Sequence, residues 1–388
     1  MAEGLRGKAA IVGAGMIRFG ELYDRSLEDM IEGAYLNALQ SVDKGLDPQE
    51  IEAAWFGTVY PVGGNSGVVL GHATGLFEIP ITRVENACAT GSDAFRQACL
   101  AVASGVYDLV LVVGAEKMHD EPGGLIQRAD VKKLWMGRGV TMPAFFGLRA
   151  TAYMEKYGIS REQIALVSVK NHKNGARYPY AHLKVECSLE DVLNASYVSY
   201  PLGLYDCCPV TDGAAALLVC SAKIAKRYTD DPVYVLGSGL ATESFVRGGD
   251  LTSFPATKRA AQQAYEMAGI TPEDVDVAEI HDCFSITELI SYEDLGFAEP
   301  GRGARLLEEG IVELEGEKPI NPSGGLLAKG HPLGATGVAQ LVELYEQLRG
   351  EAGPVQVKDP EIALQHNIGI GRFATGSVGC VHILGREP

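Results

Sequence analysis

Three short runs in this 388-residue chain carry the groups of nucleophilic acyl chemistry. Cys88 lies in Asn86-Ala87-Cys88-Ala89-Thr90-Gly91. His281 and Cys283 lie in His281-Asp282-Cys283-Phe284, and His331 lies in Gly330-His331-Pro332-Leu333-Gly334-Ala335-Thr336-Gly337. A thiol attacks a carbonyl carbon as its thiolate, so it needs a base for its proton and polar groups to hold the oxyanion that forms. Two histidines and a second cysteine supply those parts, although each residue alone is more often a packed core side chain.

The remaining cysteines suggest neither a disulfide framework nor a metal site. The eight are irregularly spaced, no C-x-x-C pair stands opposite another, and Cys207-Cys208 is a lone vicinal pair. Reduced thiols and no metal are expected. A formal net charge of -17 argues against nucleic acid and anionic membrane surfaces as partners, since both attract clustered cations. Lys132-Lys133 and the Arg18 region are the local cations open to a polyanionic ligand. With 46% hydrophobic and 21% charged residues, the chain has enough apolar side chain for a large layered core. It contains no apolar run long enough to span a bilayer, and its first residues lack the apolar core of a secretory signal, so a cytoplasmic location is expected.

The elements that must position these groups come in two copies. Lys8 to Met16 resembles Pro232 to Leu240, and Gly45 to Ala54 resembles Gly269 to Ala278, both at an offset of 224 residues. Each copy reads as a strand, a glycine turn, an Ala-rich helix (Leu27 to Ser41; Lys258 to Ala268), a G-x-x-P-x-acid turn and a second strand. Farther on, Ala89-Thr90-Gly91 and a helix to Ser104 match Ala335-Thr336-Gly337 and a helix to Arg349 at an offset of 246. A strand Tyr107 to Gly114 then matches Glu361 to Asn367, and Ala214 to Cys220 matches Val378 to Leu384 as closing strands. Gly13-x-Gly15 lacks the rest of a dinucleotide fingerprint. The divisions expected are 1–116 with 206–230, 231–388, and an inserted segment 117–205 that has no counterpart in the second copy. Insertions of that size usually carry function.

With these motifs in place, the chain resembles the thiolase superfamily over nearly its whole length. The resemblance implies an α/β fold of five layers, αβαβα, built from two tandem βαβαβαββ halves with the insertion as a loop domain covering substrate and CoA. The His281-Asp282-Cys283-Phe284 motif, and Gln365-His366-Asn367-Ile368-Gly369 where many relatives have C-x-G, are similar to the sterol carrier protein branch and its archaeal relatives. By that resemblance Cys88 takes the acyl group, His331 is its base and Cys283 is the second acid/base, with Cys380 as competitor. His281 holds the enolate oxygen, and the backbone N–H groups of Cys88 and Gly369 form a second oxyanion hole. Asn367 and His366 line the pocket, and Asp282 orients its loop. Placement at a helix start is expected to favour the Cys88 thiolate.

The function expected is an acyltransferase cleaving a β-ketoacyl-CoA with CoA, or running the reverse Claisen condensation, with CoA as co-substrate and no bound cofactor. Overall similarity to benzoylsuccinyl-CoA thiolases and the cluster Trp135, Met136, Phe145 and Phe146 point to a bulky aromatic acyl group. A biosynthetic acetoacetyl-CoA thiolase, a retro-aldol lyase acting on a β-hydroxyacyl-CoA and a non-catalytic scaffold subunit are the alternatives. The resemblance further implies a homodimer, and in this branch a zinc-ribbon/OB-fold partner subunit.

Overall fold

The computed structural model describes residues 4–60, 65–120, 141–245, 249–371 and 376–388; Lys132, Lys133, Trp135 and Met136 lie outside them. In the first half, β1 (Ala9–Met16), β2 (Ala53–Gly57), β3 (Ile81–Val84), β4 (Leu109–Glu116) and a closing strand, β7 (Gly213–Ser221), lie in the order β1-β7-β4-β2-β3. In the second, β8 (Val233–Ser244), β9 (Val277–Glu279), β10 (Ile362–Ile370) and β11 (Gly376–Gly385) repeat that order as β8-β11-β10-β9. Strand directions repeat as well. β2 is parallel to β4 as β9 is to β10, and β4 is antiparallel to β7 as β10 is to β11. A single parallel bridge, Ala278 to Ile320, stands beside β9 where β3 stands beside β2. The two sheets meet edge to edge through the antiparallel pairs Ala10–Tyr234 and Ile11–Val233 of β1 and β8.

Helices complete five layers. α1 (Leu27–Gln40) and α2 (Ser66–Thr74) cover the outer face of the first sheet, and α7 (Pro255–Ala268) with α8 (Ser285–Asp294) and the short α9 (Gly303–Glu308) covers that of the second. Between the sheets lie α3 (Thr90–Ala103) and α11 (Leu333–Arg349), each touching strands of both halves. The periodic apolar positions of α1 face only one sheet, whereas α11 is buried along nearly its whole length, as a helix packed on every side must be. Its buried Gln340, Glu343 and Gln347 therefore need protein partners for their polar atoms.

The repeated elements match the sequence expectation with small shifts at their ends. The second Ala-rich helix begins at Pro255 rather than Lys258, because proline is suited to the first turn, where its missing N–H costs nothing. The inserted segment contributes α4 (Met142–Tyr157), α5 (Arg161–Arg177), α6 (Leu189–Asn194) and a hairpin of β5 (Tyr197–Ser199) and β6 (Leu202–Gly203). α5 packs on α8 and on the single turn α10 (Gly325–Ala328), so the insertion braces the second half near His281 and His331.

The glycines of the two A-T-G runs are explained by one crossing. A Cβ on Gly337 would stand 2.4 Å from the backbone nitrogen of Ser92, and one on Gly91 would stand 2.7 Å from the carbonyl oxygen of Gly334. α3 and α11 thus meet backbone to backbone, closer than any side chain allows. Gly337→Ala is expected to destabilise the fold by about 1–3 kcal/mol, the usual cost of overpacking, measured as a lowered denaturation midpoint. Unchanged stability would mean that the crossing has slack.

Candidate active site

Cys88 precedes α3 on a strained turn. Ala87 has φ +49°, a left-handed conformation that side chains other than glycine, Asn and Asp rarely adopt. The turn is tied at both ends: Asn86 N–H donates to Thr90 Oγ1 (2.9 Å), and the Asn86 side chain donates to Asp93 (2.7 Å). Gly369 lets β10 press on it, since a Cβ there would stand 2.2 Å from the Asn86 carbonyl oxygen.

His331 enters from the other half, in the turn before α11. Its Nδ1 lies 2.7 Å from Thr336 Oγ1, while Thr336 donates its own proton to the Pro332 carbonyl oxygen at 2.9 Å. The hydroxyl can therefore only accept from the ring, which places the imidazole proton on Nδ1 and leaves Nε2 as a bare lone pair. His281 follows β9. Its Nδ1 faces the amide nitrogen of Asn367 at 3.3 Å, and an amide nitrogen cannot accept, so Nδ1 is bare and Nε2 carries the proton. The two rings meet edge to face with centroids 5.2 Å apart. One ligating atom from each of Cys88, His281 and His331 lies within 4.8 Å of the others, and both Nε2 atoms are buried without a protein partner. Cys, His and His could hold a soft metal ion, but the Nε2–H of His281 would have to move first. One base and one donor converge beside a thiol.

Electrostatics correct one expectation. Burial, the largest influence, pushes the Cys88 thiol up to about 12, against backbone N–H groups of Ile370 and of Cys88 itself and with help from the Glu116 and Glu85 charges. The helix start works against that push, with the N–H groups of Ala89 and Thr90 themselves spent on the carbonyls of Asn86 and Ala87. Burial also holds His331 down at about 3 and His281 well below the usual imidazole range. At rest the site is a thiol between two neutral imidazoles.

The Cys283 thiol is buried and likewise pushed up, by burial first and then by the neighbouring thiols of Cys208 and Cys88. Cys208 N–H donates to the Cys283 carbonyl at 3.1 Å beside the antiparallel bridge Cys207–Phe284, which makes the vicinal pair part of the site wall. Asp282 serves the loop. It accepts from Leu326 N–H (2.6 Å), Leu327 N–H (3.2 Å) and Asn171 (2.7 Å), and Asn171 also donates to Glu288 (2.6 Å), itself paired with Lys170 (2.7 Å). The insertion thus fastens the loop that carries His281.

Several nominated residues stand elsewhere. His366 bonds Thr257 of α7 at 3.0 Å, on the opposite face of β10 from Asn367, so it lines the outer layer. The Ile370 N–H lies close enough to the Cys88 sulfur to favour its thiolate, and Gly369 presses against the turn beside it. Cys380 lies in β11 against His382 Nε2 at 3.5 Å. Phe146 stacks on Phe284 at 4.5 Å and Phe145 lies against Arg149, so both are engaged in packing. Sequence reading missed Glu116, whose carboxylate accepts from Thr58, Val59, Tyr60 and Gly334 at 2.9–3.1 Å and pins the start of α11. Burial lifts it to about 7 despite those donors. It also missed Ser92, Gln340 and Gln365, which surround Asn367.

The chain matches the family description "Thiolase, N-terminal domain" over residues 9–191 and "Thiolase C-terminal domain-like" over 237–386. It is 44% identical over 386 residues to an acetyl-CoA acetyltransferase of Methanothermobacter thermautotrophicus, covering 97% of this chain and 99% of that one. It is 38% identical to sterol carrier protein 2 of Homo sapiens, covering 93% of this chain and 70% of that one. Among solved structures, the Ltp2-ChsH2(DUF35) aldolase superposes with a TM-score of 0.85 at 27% identity, covering 98% of both chains. A monomeric SCP2-thiolase like protein from Mycobacterium smegmatis, at 21% identity and TM-score 0.76, shares the fold over 98% of this chain and 78% of that one. This chain belongs to the thiolase family, and it is an enzyme of the acyltransferase class.

Because the thiol is held near 12, iodoacetamide inactivation through Cys88 should accelerate steadily with pH through 10, as the thiolate fraction grows about tenfold per pH step below the pKa. A rate that levels off near neutral pH would contradict the neutral resting site.

Proposed function

We propose that this enzyme is an acetyl-CoA C-acyltransferase, interconverting acetoacetyl-CoA plus CoA and two acetyl-CoA through an acyl-enzyme on Cys88. The observation that carries it is the convergence of Cys88 with a bare His331 Nε2 and a protonated His281 Nε2. In the cleavage direction Cys88 attacks the keto carbon and its proton passes to His331. The bond to the α-carbon breaks, and its electron pair becomes an enolate whose thioester oxygen is held by His281 Nε2–H. Cys283 gives its proton to that α-carbon, releasing acetyl-CoA. The thiol of a second CoA then loses its proton to Cys283 and attacks the acyl carbon, and the freed Cys88 sulfur recovers its proton from His331. Substrate supplies the electronics, so CoA is a co-substrate and no bound cofactor takes part in the reading.

Acetyl is favoured over a bulky aromatic acyl group because full-length relatives at 44% and 40% identity carry the name acetyl-CoA acetyltransferase, while Phe145 and Phe146 are engaged in packing. A cytoplasmic homodimer formed through β3, the outer strand of the first sheet, accompanies this reading. Among the described residues no helix is long and apolar enough to cross a membrane. The Ltp2-ChsH2(DUF35) aldolase favours a second reading, retro-aldol cleavage of a β-hydroxyacyl-CoA with a partner subunit of the ChsH2 kind. Cys88 separates the two, since retro-aldol chemistry forms no bond to it.

Intact mass after exposure to acetoacetyl-CoA without CoA should show an acetyl adduct that is absent from Cys88→Ser. Cys283→Ala should keep an adduct from acetyl-CoA yet lose carbon–carbon cleavage. An enzyme that cleaves β-hydroxyacyl-CoA equally well as Cys88→Ser would make the aldolase reading the correct one.

A further inference from the structure

The polar side chains buried between the sheets close into a ring drawn from α3, β10 and α11. Gln365 Nε2 donates to Ser92 Oγ at 2.8 Å and to Gln340 Oε1 at 2.7 Å. Ser92 donates to Asn367 Oδ1 at 2.7 Å, and Asn367 Nδ2 donates to Gln340 Oε1 at 2.7 Å. All four side chains are fully buried, so no water competes for these bonds. Such a ring is nearly reversible: with all three amides turned over and the hydroxyl swung round, every bond reforms with donor and acceptor exchanged. Gln340 Nε2 and Gln365 Oε1 have no partner outside the ring to forbid it. One contact breaks the symmetry. Asn367 Nδ2 lies 3.0 Å from the His366 carbonyl oxygen, which can only accept.

We propose that Gln340 is a positioning residue that locks in the ring direction set by the His366 carbonyl, and with it the nitrogen of His281 that carries the proton. Its Oε1 collects two amide donors and so holds the Asn367 nitrogen, rather than its oxygen, toward His281 Nδ1. In the reversed ring Asn367 would present Oδ1 to Nδ1 and draw the ring proton there. His281 Nε2 would then meet an enolate oxygen with a lone pair instead of a proton. The proposal rests on the reading of His281 as the enolate's donor. It makes α11 responsible for both histidines, through Thr336 for His331 and Gln340 for His281.

Two near-isosteric substitutions separate polarity from packing. Above its pKa, which burial raises, a carboxylate only accepts, so Gln340→Glu studied in that range preserves the direction of the ring. Gln365→Glu forces Ser92 and Gln340 to donate to it and reverses the ring. In protein with 15N-labelled histidine, with His281 assigned by comparison with His281→Asn, long-range proton–nitrogen spectra report the tautomer directly. Native enzyme and Gln340→Glu should carry the His281 proton on Nε2, and Gln365→Glu on Nδ1. Carbon–carbon cleavage should fall about 10²-fold or more in Gln365→Glu, the usual cost of one oxyanion donor, and should fall less in Gln340→Glu, which keeps that donor. Acyl transfer from acetyl-CoA to Cys88, which forms no enolate, should survive in both. A native His281 protonated on Nδ1, or the same tautomer in both variants, overturns the proposal, and the native spectrum decides even where a variant does not fold. Absence of any native adduct on Cys88 would instead remove the thiolase reading, leaving the tautomer assignment to stand or fall by the spectra.

Discussion

Contact between the backbones of α3 and α11 is the constraint on which the site depends. Two helices buried between two sheets cross at Gly91, Gly334 and Gly337, where no side chain fits. Each helix is preceded by a turn carrying one reactive group: Cys88 before α3, His331 before α11. Helices separated by ordinary side chains pack with axes about 8–10 Å apart, and a wider crossing would draw the thiol and the imidazole out of proton-transfer range. The glycines therefore contribute to chemistry by what they leave out. Glu116 reinforces the arrangement from β4, accepting from residues 58–60 of one half and from Gly334 at the start of the other half's helix.

Burial sets the resting charge state. Loss of solvent disfavours both a thiolate on the half-buried Cys88 and an imidazolium on the buried His331, so the upward push on one and the downward push on the other share a cause. Separated charge is then tolerable only while a substrate oxyanion is being formed and held by donors already aimed at it. His281, neutral and donating through Nε2, suits that task better than a cation, because it need not be desolvated or neutralised before substrate enters.

Much of this was legible in the sequence. The duplication at an offset of 224 residues gave the repeated strand order, and the three motifs named the residues that converge. Legibility failed where function depends on which side a residue faces or on what burial does to it. His366 and Asn367 adjoin in sequence, but strand alternation sends one to α7 and the other to the site. That alternation was readable, and it would also have paired Gln365 with Asn367. The protonation of Cys88 was not readable, because its proximity to a helix start gives no hint that the nearest N–H groups are already used. Nor could spacing have brought Glu116 to Gly334 across 218 positions.

The two halves share an architecture and divide the chemistry. On the face of β4 turned toward the central helices stand Val110 and Val112, members of the apolar core between the sheets. On the corresponding face of β10 stand Gln365 and Asn367, bonded to Ser92 and Gln340. The first half thus backs α3 with an apolar strand face. The second half spends buried amides, each costly to desolvate unless paired, on fixing a histidine tautomer. Duplication supplies two equivalent helix starts, and an acyl transfer needs unlike groups at them. Divergence at a few inward-facing positions of β4 and β10 is enough to turn a symmetric scaffold into an asymmetric site.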